Sequence, residues 1–241
     1  MKKLLTLALG LSAIALSAQE TITVKNGTMA NTGSYSNMDT FYNVQAGEVI
    51  VLNDDTKGSP YVYEKFQMGK LINKEGEIVV NNVALNYNAY SDLMVGKPSI
   101  NASSDEAKNL TKSSEFDVKI GNDLYIAVIM SNYDLGYFQL LEKGDKVSLI
   151  KRYDKEYKPK ELATTSLTRD IPAMFKDKEF FYLYYPDGQY EELPTSKSKF
   201  IKAMGAHSGD IKSFIKRNKL NVAKEKDMAQ VIKYYNSLLS K

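Results

Sequence analysis

The chain contains no cysteine, no tryptophan and a single histidine, His207, among its 241 residues. Without cysteine there are no disulfides, thiol nucleophiles, iron–sulfur clusters, thiolate-bound zinc or lipidated cysteine. His-based triads and acid–base pairs have one imidazole to draw on, and a zinc site of the usual His/Cys composition is close to excluded. His207 sits in the stretch Gly205-Ala206-His207-Ser208-Gly209 and reads as a linker residue between helices. The phosphate-binding pattern G-x-x-x-x-G-K-S/T, the dinucleotide pattern G-x-G-x-x-G, the nucleophile elbow G-x-S-x-G and the zinc helix H-E-x-x-H are all missing. Long apolar runs are missing as well. The longest, residues 4–16, holds thirteen residues, short of the roughly 20 that a spanning helix requires.

What the first eighteen residues do contain is Lys2 and Lys3, that apolar run, and the small pair Ser17-Ala18. This is the arrangement of a secretory signal peptide. The expectation is cleavage after Ala18 and an exported protein, periplasmic or extracellular. Loss of Lys2 and Lys3 takes the formal net charge from +3 to +1. The charge is also unevenly spread. Residues 20–148 carry eleven Lys and seventeen acids, whereas residues 149–241 carry nineteen Lys or Arg and twelve acids. A basic tail of this kind suits either a well-solvated surface or contact with anionic material. Its densest part, Lys212, Lys216, Arg217 and Lys219, is the candidate anionic contact, with an acidic lipid or polysaccharide as partner. Nucleic acid is not an expected partner of an exported chain.

Turn chemistry organises the middle of the chain. Glu75-Gly76, Lys143-Gly144-Asp145 and Asp187-Gly188 each separate two short apolar runs, within residues 70–80, 137–153 and 180–193. Gly opens positive φ at a tight turn, so three antiparallel hairpins are predicted. Further strands are predicted at 21–25, 48–53, 83–90, 116–120 and 124–130. Residues 26–39 and 99–114 are polar loops, and 153–160, with alternating charge ending in Pro159, reads as a hinge. From residue 196 the period becomes helical. Segments 196–205 and 209–219, the latter capped by Ser208, precede a third at 223–239 striped by Met228, Val231, Ile232, Tyr235, Leu238 and Leu239. The fold class is α+β: an antiparallel β-sheet domain over 19–194, of sandwich or half-barrel type, followed by a short C-terminal helical segment over 195–241 packed on it.

Seventeen tyrosines are the positive oddity. They cluster at Tyr61/Tyr63, Tyr87/Tyr90, Tyr133/Tyr137, Tyr182/Tyr184/Tyr185/Tyr190 and Tyr234/Tyr235, some two apart on one strand face. A phenol ring suits a ligand-binding face and equally the border of a core. Asn53-Asp54-Asp55 and Asp105-Glu106 lack calcium-loop spacing, so neither a metal nor a cofactor is expected.

The strings GSPYVYEKFQMGKL (58–71), LNYNAYSDLMVG (85–96) and FIKRNKLNVAKEKDMAQVIKYYNSLLSK (214–241) resemble a family of secreted proteins of unassigned activity found in flavobacteria and other Bacteroidetes. The resemblance rests on Gly58, Pro60, Tyr61, Phe66, Gly69, Tyr87, Asn88, Tyr90 and Asp92, aromatic, Gly and Asn positions rather than an acid–base set. It implies a Gram-negative exported protein with a shaped β surface. Tyr61, Tyr87, Asn88, Tyr90 and Asp92 are the candidate ligand-binding residues, with no catalytic residue named. Function is expected to be that of a non-catalytic binding or structural protein of the cell envelope. The alternative is a hydrolase that uses carboxylates alone on a cell-wall or extracellular glycan, which requires two facing acids in one cleft.

Overall fold

Gly76 and Gly188 both sit at φ +88°, where a side chain is strained and glycine is not. Each closes a hairpin, β2 (Gln67–Asn73) to β3 (Ile78–Asn88) and β10 (Met174–Tyr184) to β11 (Tyr190–Leu193). The third predicted hairpin joins β8 (Leu135–Glu142) to β9 (Ser148–Lys158). These belong to a computed structural model that describes residues 42–43, 55–165, 167 and 169–240. The leader, the loop 26–39 and the strands expected at 21–25 and 48–53 lie outside the described residues.

With β1 (Tyr42–Asn43), β4 (Leu93–Lys97), β5 (Lys108–Leu110), β6 (Phe116–Ile120) and β7 (Asp123–Ile129), the strands form one sheet in the order β1-β5-β4-β3-β2-β6-β7-β8-β9-β10-β11. Every pair of named strands is antiparallel. Three helices follow: α1 (Lys197–Ala203), α2 (Ser208–Arg217) and α3 (Glu225–Leu239). The α+β class therefore holds.

Several local expectations need correction. Residues 153–160 are no hinge. Their charges alternate because β9 pairs with β10 over eleven positions, and the charges meet partners across the ladder: Lys155 to Asp177 at 2.6 Å and Lys178 to Glu156 at 2.8 Å. Residues 83–90 are no separate strand either, since the hairpin arm that begins at Ile78 runs unbroken to Asn88. Within the loop expected at 99–114 lies β5, and the unpredicted β4 precedes it. Ser208 is the first residue of α2 rather than its cap.

The sheet coils. Asp92, in the turn after β3, accepts the backbone N–H of Tyr137 on β8 at 3.1 Å, although four strand-to-strand steps separate β3 from β8 in the sheet. The inner face of that coil buries Leu71, Val83, Leu85, Tyr87, Met94, Val118, Ile120, Tyr125 and Tyr137. Beyond β8 the same face is covered by the helices. There Leu149, Phe181, Leu183 and Leu193 pack with Phe200, Met204, Ile211, Ile215, Val222, Met228, Val231 and Ile232. Each fully buried aliphatic or aromatic side chain contributes about 1.5–3 kcal/mol.

One cross-strand row traverses both cores: Val80, Leu71, Val118, Tyr125, Gln139, Lys151, Phe181 and Leu193. All eight are buried, and the two polar members stand where one core gives way to the other. The opposite face of β7–β11 carries Phe138, Tyr182 and Tyr190, with ring centroids 5.4–5.8 Å apart. The strand FFYLYY is thus apolar on both faces, with Phe181 and Leu183 under the helices and Tyr182 and Tyr184 half-buried on the other side.

The helical layer is fastened to the sheet by Asn236 on α3. Its side chain accepts the N–H groups of Lys146 and Val147 at 3.1 and 3.0 Å and donates to the Val147 carbonyl at 2.7 Å. Gly144 lets this happen, because a Cβ there would stand 2.3 Å from the Asn236 amide nitrogen.

Candidate functional site

Burial and hydrogen bonding sort the sequence-predicted residues into different roles. Tyr87 is fully buried; its hydroxyl donates to Asp92 at 2.7 Å, and its ring lies 5.3, 6.0 and 6.4 Å from those of Tyr125, Tyr137 and Tyr153. Desolvation, reinforced by the Asp92 carboxylate, pushes its phenol well above the usual tyrosine range. Asp92, at φ +54°, also receives Lys112 at 2.8 Å. Both its carboxylate oxygens are thus engaged by neighbouring groups of the fold. Asn88 accepts the N–H groups of Tyr90 and Ser91, both at 3.1 Å, and so shapes the turn. Tyr90 lies edge-on to Phe175 at 5.8 Å, and Tyr61 bridges Asn88 with its ring 6.3 Å from Phe66. The five are brought together around the end of β3, but Tyr87 and Asp92 hold the core there, while Tyr61 and Tyr90 remain half-buried at its border.

Next to this region is an open cleft of about 280 Å³, lined by Val62, Tyr63, Tyr153, Asp154, Lys155, Asp177, Lys178 and Glu179. One wall is the face of β9 and β10. The pleat places Lys151, Tyr153 and Lys155 on one side, and register sets Glu179 opposite Tyr153 and Asp177 opposite Lys155. The other wall is Val62 and Tyr63, the end of a strap that runs over residues 57–63. Lys57 joins the start of β10, with its N–H to the Ala173 carbonyl and its carbonyl to the Phe175 N–H, both at 2.9 Å. At the far end Val62 donates to the Tyr87 carbonyl at 2.8 Å, and buried Asn86 grips Tyr63, taking its N–H at 3.3 Å and donating to its carbonyl at 2.9 Å. The Tyr63 hydroxyl donates to Asp123 at 2.6 Å and shares a 2.8 Å bond with Tyr125. Burial and then the Asp123 contact raise the Tyr63 phenol far above its ordinary pKa.

Behind the Tyr153 ring lies Lys151, whose side chain is 2% exposed. Its ammonium stands 4.0 Å from the ring centroid, 3.5 Å from Glu179 and against Glu225 in the first turn of α3. Burial works to lower the Lys151 pKa, but Glu225 and Tyr153 outweigh it and the net shift is upward. Lys151 is therefore a charged tie between sheet and helix, not a neutral amine nucleophile. Tyr153 donates its hydroxyl to Gln139 at 3.0 Å.

The acids of the cleft are exposed or half-exposed, with the Asp177 and Glu179 side chains 74% and 44% accessible. Among the described residues, no three His, Cys, Asp or Glu side chains are placed to hold a metal. Nor is any helix there long and apolar enough to cross a membrane. The basic residues Lys212, Lys216, Arg217 and Lys219 are all exposed, on α2 and the turn after it. Sequence reasoning grouped Tyr63 with Tyr61 but did not name it as a binding residue, and it missed Asn86, Lys151 and the acids of β9 and β10. Comparison with family models, curated proteins and solved structures gives no match.

Proposed function

We propose that this protein is an exported, non-catalytic binding protein of the bacterial envelope, holding a sugar-sized polar ligand in the cleft between the strap and the β9–β10 face. The observation that carries the reading is the state of the cleft's charges. Lys155 is paired with Asp177, Lys178 with Glu156, and Glu179 shares the buried Lys151 with Glu225. Side chains neutralised in this way are suited to orienting polar groups of a ligand by hydrogen bonds, against the phenol surfaces of Tyr63 and Tyr153. They are poorly suited to shuttling protons, which calls for a carboxyl poised near neutrality. Two buried acids facing each other across a Tyr-lined cleft would favour the glycan hydrolase instead, and the acids here stand at the rim.

The test is a thermal-shift and equilibrium-binding screen of the processed chain against neutral mono- and oligosaccharides. At least one saccharide is expected to bind, and to lose tenfold or more of its affinity on Tyr153→Ala. Asp177→Ala, at an exposed rim position, is expected to weaken the same ligand with only a small fall in Tm from the unpaired Lys155. Binding unaffected by both variants sinks the cleft. Turnover of a glycan by homogeneous protein, abolished by Asp154→Asn or Glu179→Gln, sinks the non-catalytic reading.

A further inference from the structure

The helical layer has a charge problem that its own sequence does not solve. Residues 196–240 carry ten Lys or Arg, all exposed, against Asp210, Glu225 and Asp227, a net of +7. The described sheet residues 55–195 carry eighteen cations and twenty-two acids, a net of −4. Nor are the three acids of the layer spent on its lysines. Glu225 is turned to Lys151, Asp227 accepts the Asn221 N–H at 2.8 Å, and Asp210 stands 3.9 Å from His207. Among the described residues none of the ten cations enters an ion pair. Lys212 and Lys216 stand one turn apart on α2, a like-charge spacing that works against the helix.

A second observation is independent of charge. α2 ends in a Schellman motif: Leu220 donates to the Ile215 carbonyl at 3.0 Å and Lys219 to the Lys216 carbonyl at 3.3 Å. The residue at the left-handed position of that motif is ordinarily glycine, but here it is Lys219 at φ +54°. A strained lysine stands where glycine would relax the chain, and what it adds there is an exposed alkyl stem that ends in an ammonium group. Phe214 and Tyr234 stack at 4.1 Å with 10° between their planes, and of the four cations it is Arg217 that reaches them, its guanidinium 6.0 Å from the Phe214 ring.

We propose that this face, centred on Lys212, Lys216, Arg217 and Lys219, binds an acidic polysaccharide through its repeated carboxylates. The charge match selects a polyanion, and the surface between the charges selects the kind. A helix that sits in an anionic bilayer adds large apolar anchors to its basic face. No large hydrophobic side chain in the layer is exposed among the described residues. An array of exposed cations without apolar anchors fits a soluble polyanion better than a bilayer. The face does not depend on the cleft.

Polygalacturonate is the probe, with uncharged dextran and phosphatidylglycerol vesicles beside it, titrated into the full processed chain over a salt series. Binding to polygalacturonate is expected to fall steeply with salt. Changing Lys212, Lys216 and Arg217 to Gln together with Lys219→Gly is expected to weaken it tenfold or more and to reduce the slope of log K against log salt by roughly 2 to 3. Lys219→Gly alone is expected to raise Tm while weakening binding severalfold, which a purely structural lysine would not do. Asp177→Ala in the cleft leaves polygalacturonate binding unchanged, so the two sites fail separately. Equal affinity of the fourfold variant and the parent overturns the proposal. So does equal binding of dextran, no binding at low salt, or affinity for the vesicles alone.

Discussion

The two halves of the buried sheet face solve the same problem with different side chains. Inside the coil, Tyr87, Tyr125 and Tyr137 reach across the interior, and the hydroxyls of Tyr63, Tyr87 and Tyr125 find Asp123, Asp92 or one another. Under the helices, Ile211, Ile215, Met228, Val231 and Ile232 close on Leu149, Phe181 and Leu183, a core of aliphatic side chains with two phenylalanines, Phe181 from the sheet and Phe200 from α1. A strongly curved sheet has no second layer to supply volume, so long rings fill it, and each ring brings a hydroxyl that must be hydrogen-bonded. A helix layer supplies volume from outside and needs no such groups. One core therefore holds its phenols deep inside, whereas the other meets them only at its half-buried border, Tyr185 and Tyr235 among them.

That contrast is sharpest at high pH. Burial raises the phenol pKa of Tyr87, Tyr125 and Tyr137. A group whose folded pKa is raised stabilises the fold fully below its unfolded value, near 10, and loses that contribution as pH climbs towards the folded one. Each of the three loses about 1.4 kcal/mol per pH unit above 10, so a shift from pH 9 to pH 11 should remove roughly 4 kcal/mol. Urea unfolding followed by near-ultraviolet and far-ultraviolet dichroism checks it. Coincident loss of both signals means the cores are one cooperative unit; loss of the tyrosine signal ahead of the helical one splits them.

Mutations probe the same pair. Asp92→Ala leaves the Tyr87 hydroxyl, the Tyr137 N–H and Lys112 without their shared carboxylate, and should destabilise by about 3–5 kcal/mol. Ile232→Ala, which only opens space beneath α3, should fall at about 2–4 kcal/mol. The difference predicted by the two chemistries appears in a repair experiment: Asp92→Asn should recover part of the loss, since asparagine tolerates the left-handed backbone and still accepts. If Asp92→Ala proves milder than Ile232→Ala, the polar network is ornament on a core held by shape.

The smallest effect belongs to the join. Lys151→Met keeps the volume and removes the ammonium, and because Glu179 and Glu225 are 44% and 40% exposed they regain water. A net change within about 1 kcal/mol is expected at neutral pH. The raised pKa of Lys151 means its contribution is present below about 10.5 and lost as pH rises through the folded value. The variant should therefore lose less stability than the parent between pH 10 and pH 12, measured as Tm.

What could be read in the chain follows from how local its signals are. The hairpins at Gly76, Gly144 and Gly188 and the helical stripe of α3 depend on neighbours a few residues away, so pattern finds them. β4 and β5 are short, and their strand character comes from pairing with β3 and with each other. The run 153–160 looked like a hinge because charge alternates there, and only β10 explains why. Tyr87 and Asp92 were legible as a unit, but their setting depends on β8, which approaches only once the sheet has coiled. Lys151, which follows Leu149-Ile150 and precedes Arg152 in the sequence, gave no sign that its ammonium would be buried against α3.

Lys151 also does something that an alternating apolar pattern is unable to do. Sliding β9 by two residues would preserve which side chains face inward and would satisfy hydrophobicity almost as well. It would, however, carry an ammonium group into an oily compartment on one side or the other, away from both carboxylates. A single charge thus serves as an index mark for the eleven-position ladder with β10, and selects one alignment among several of similar greasiness.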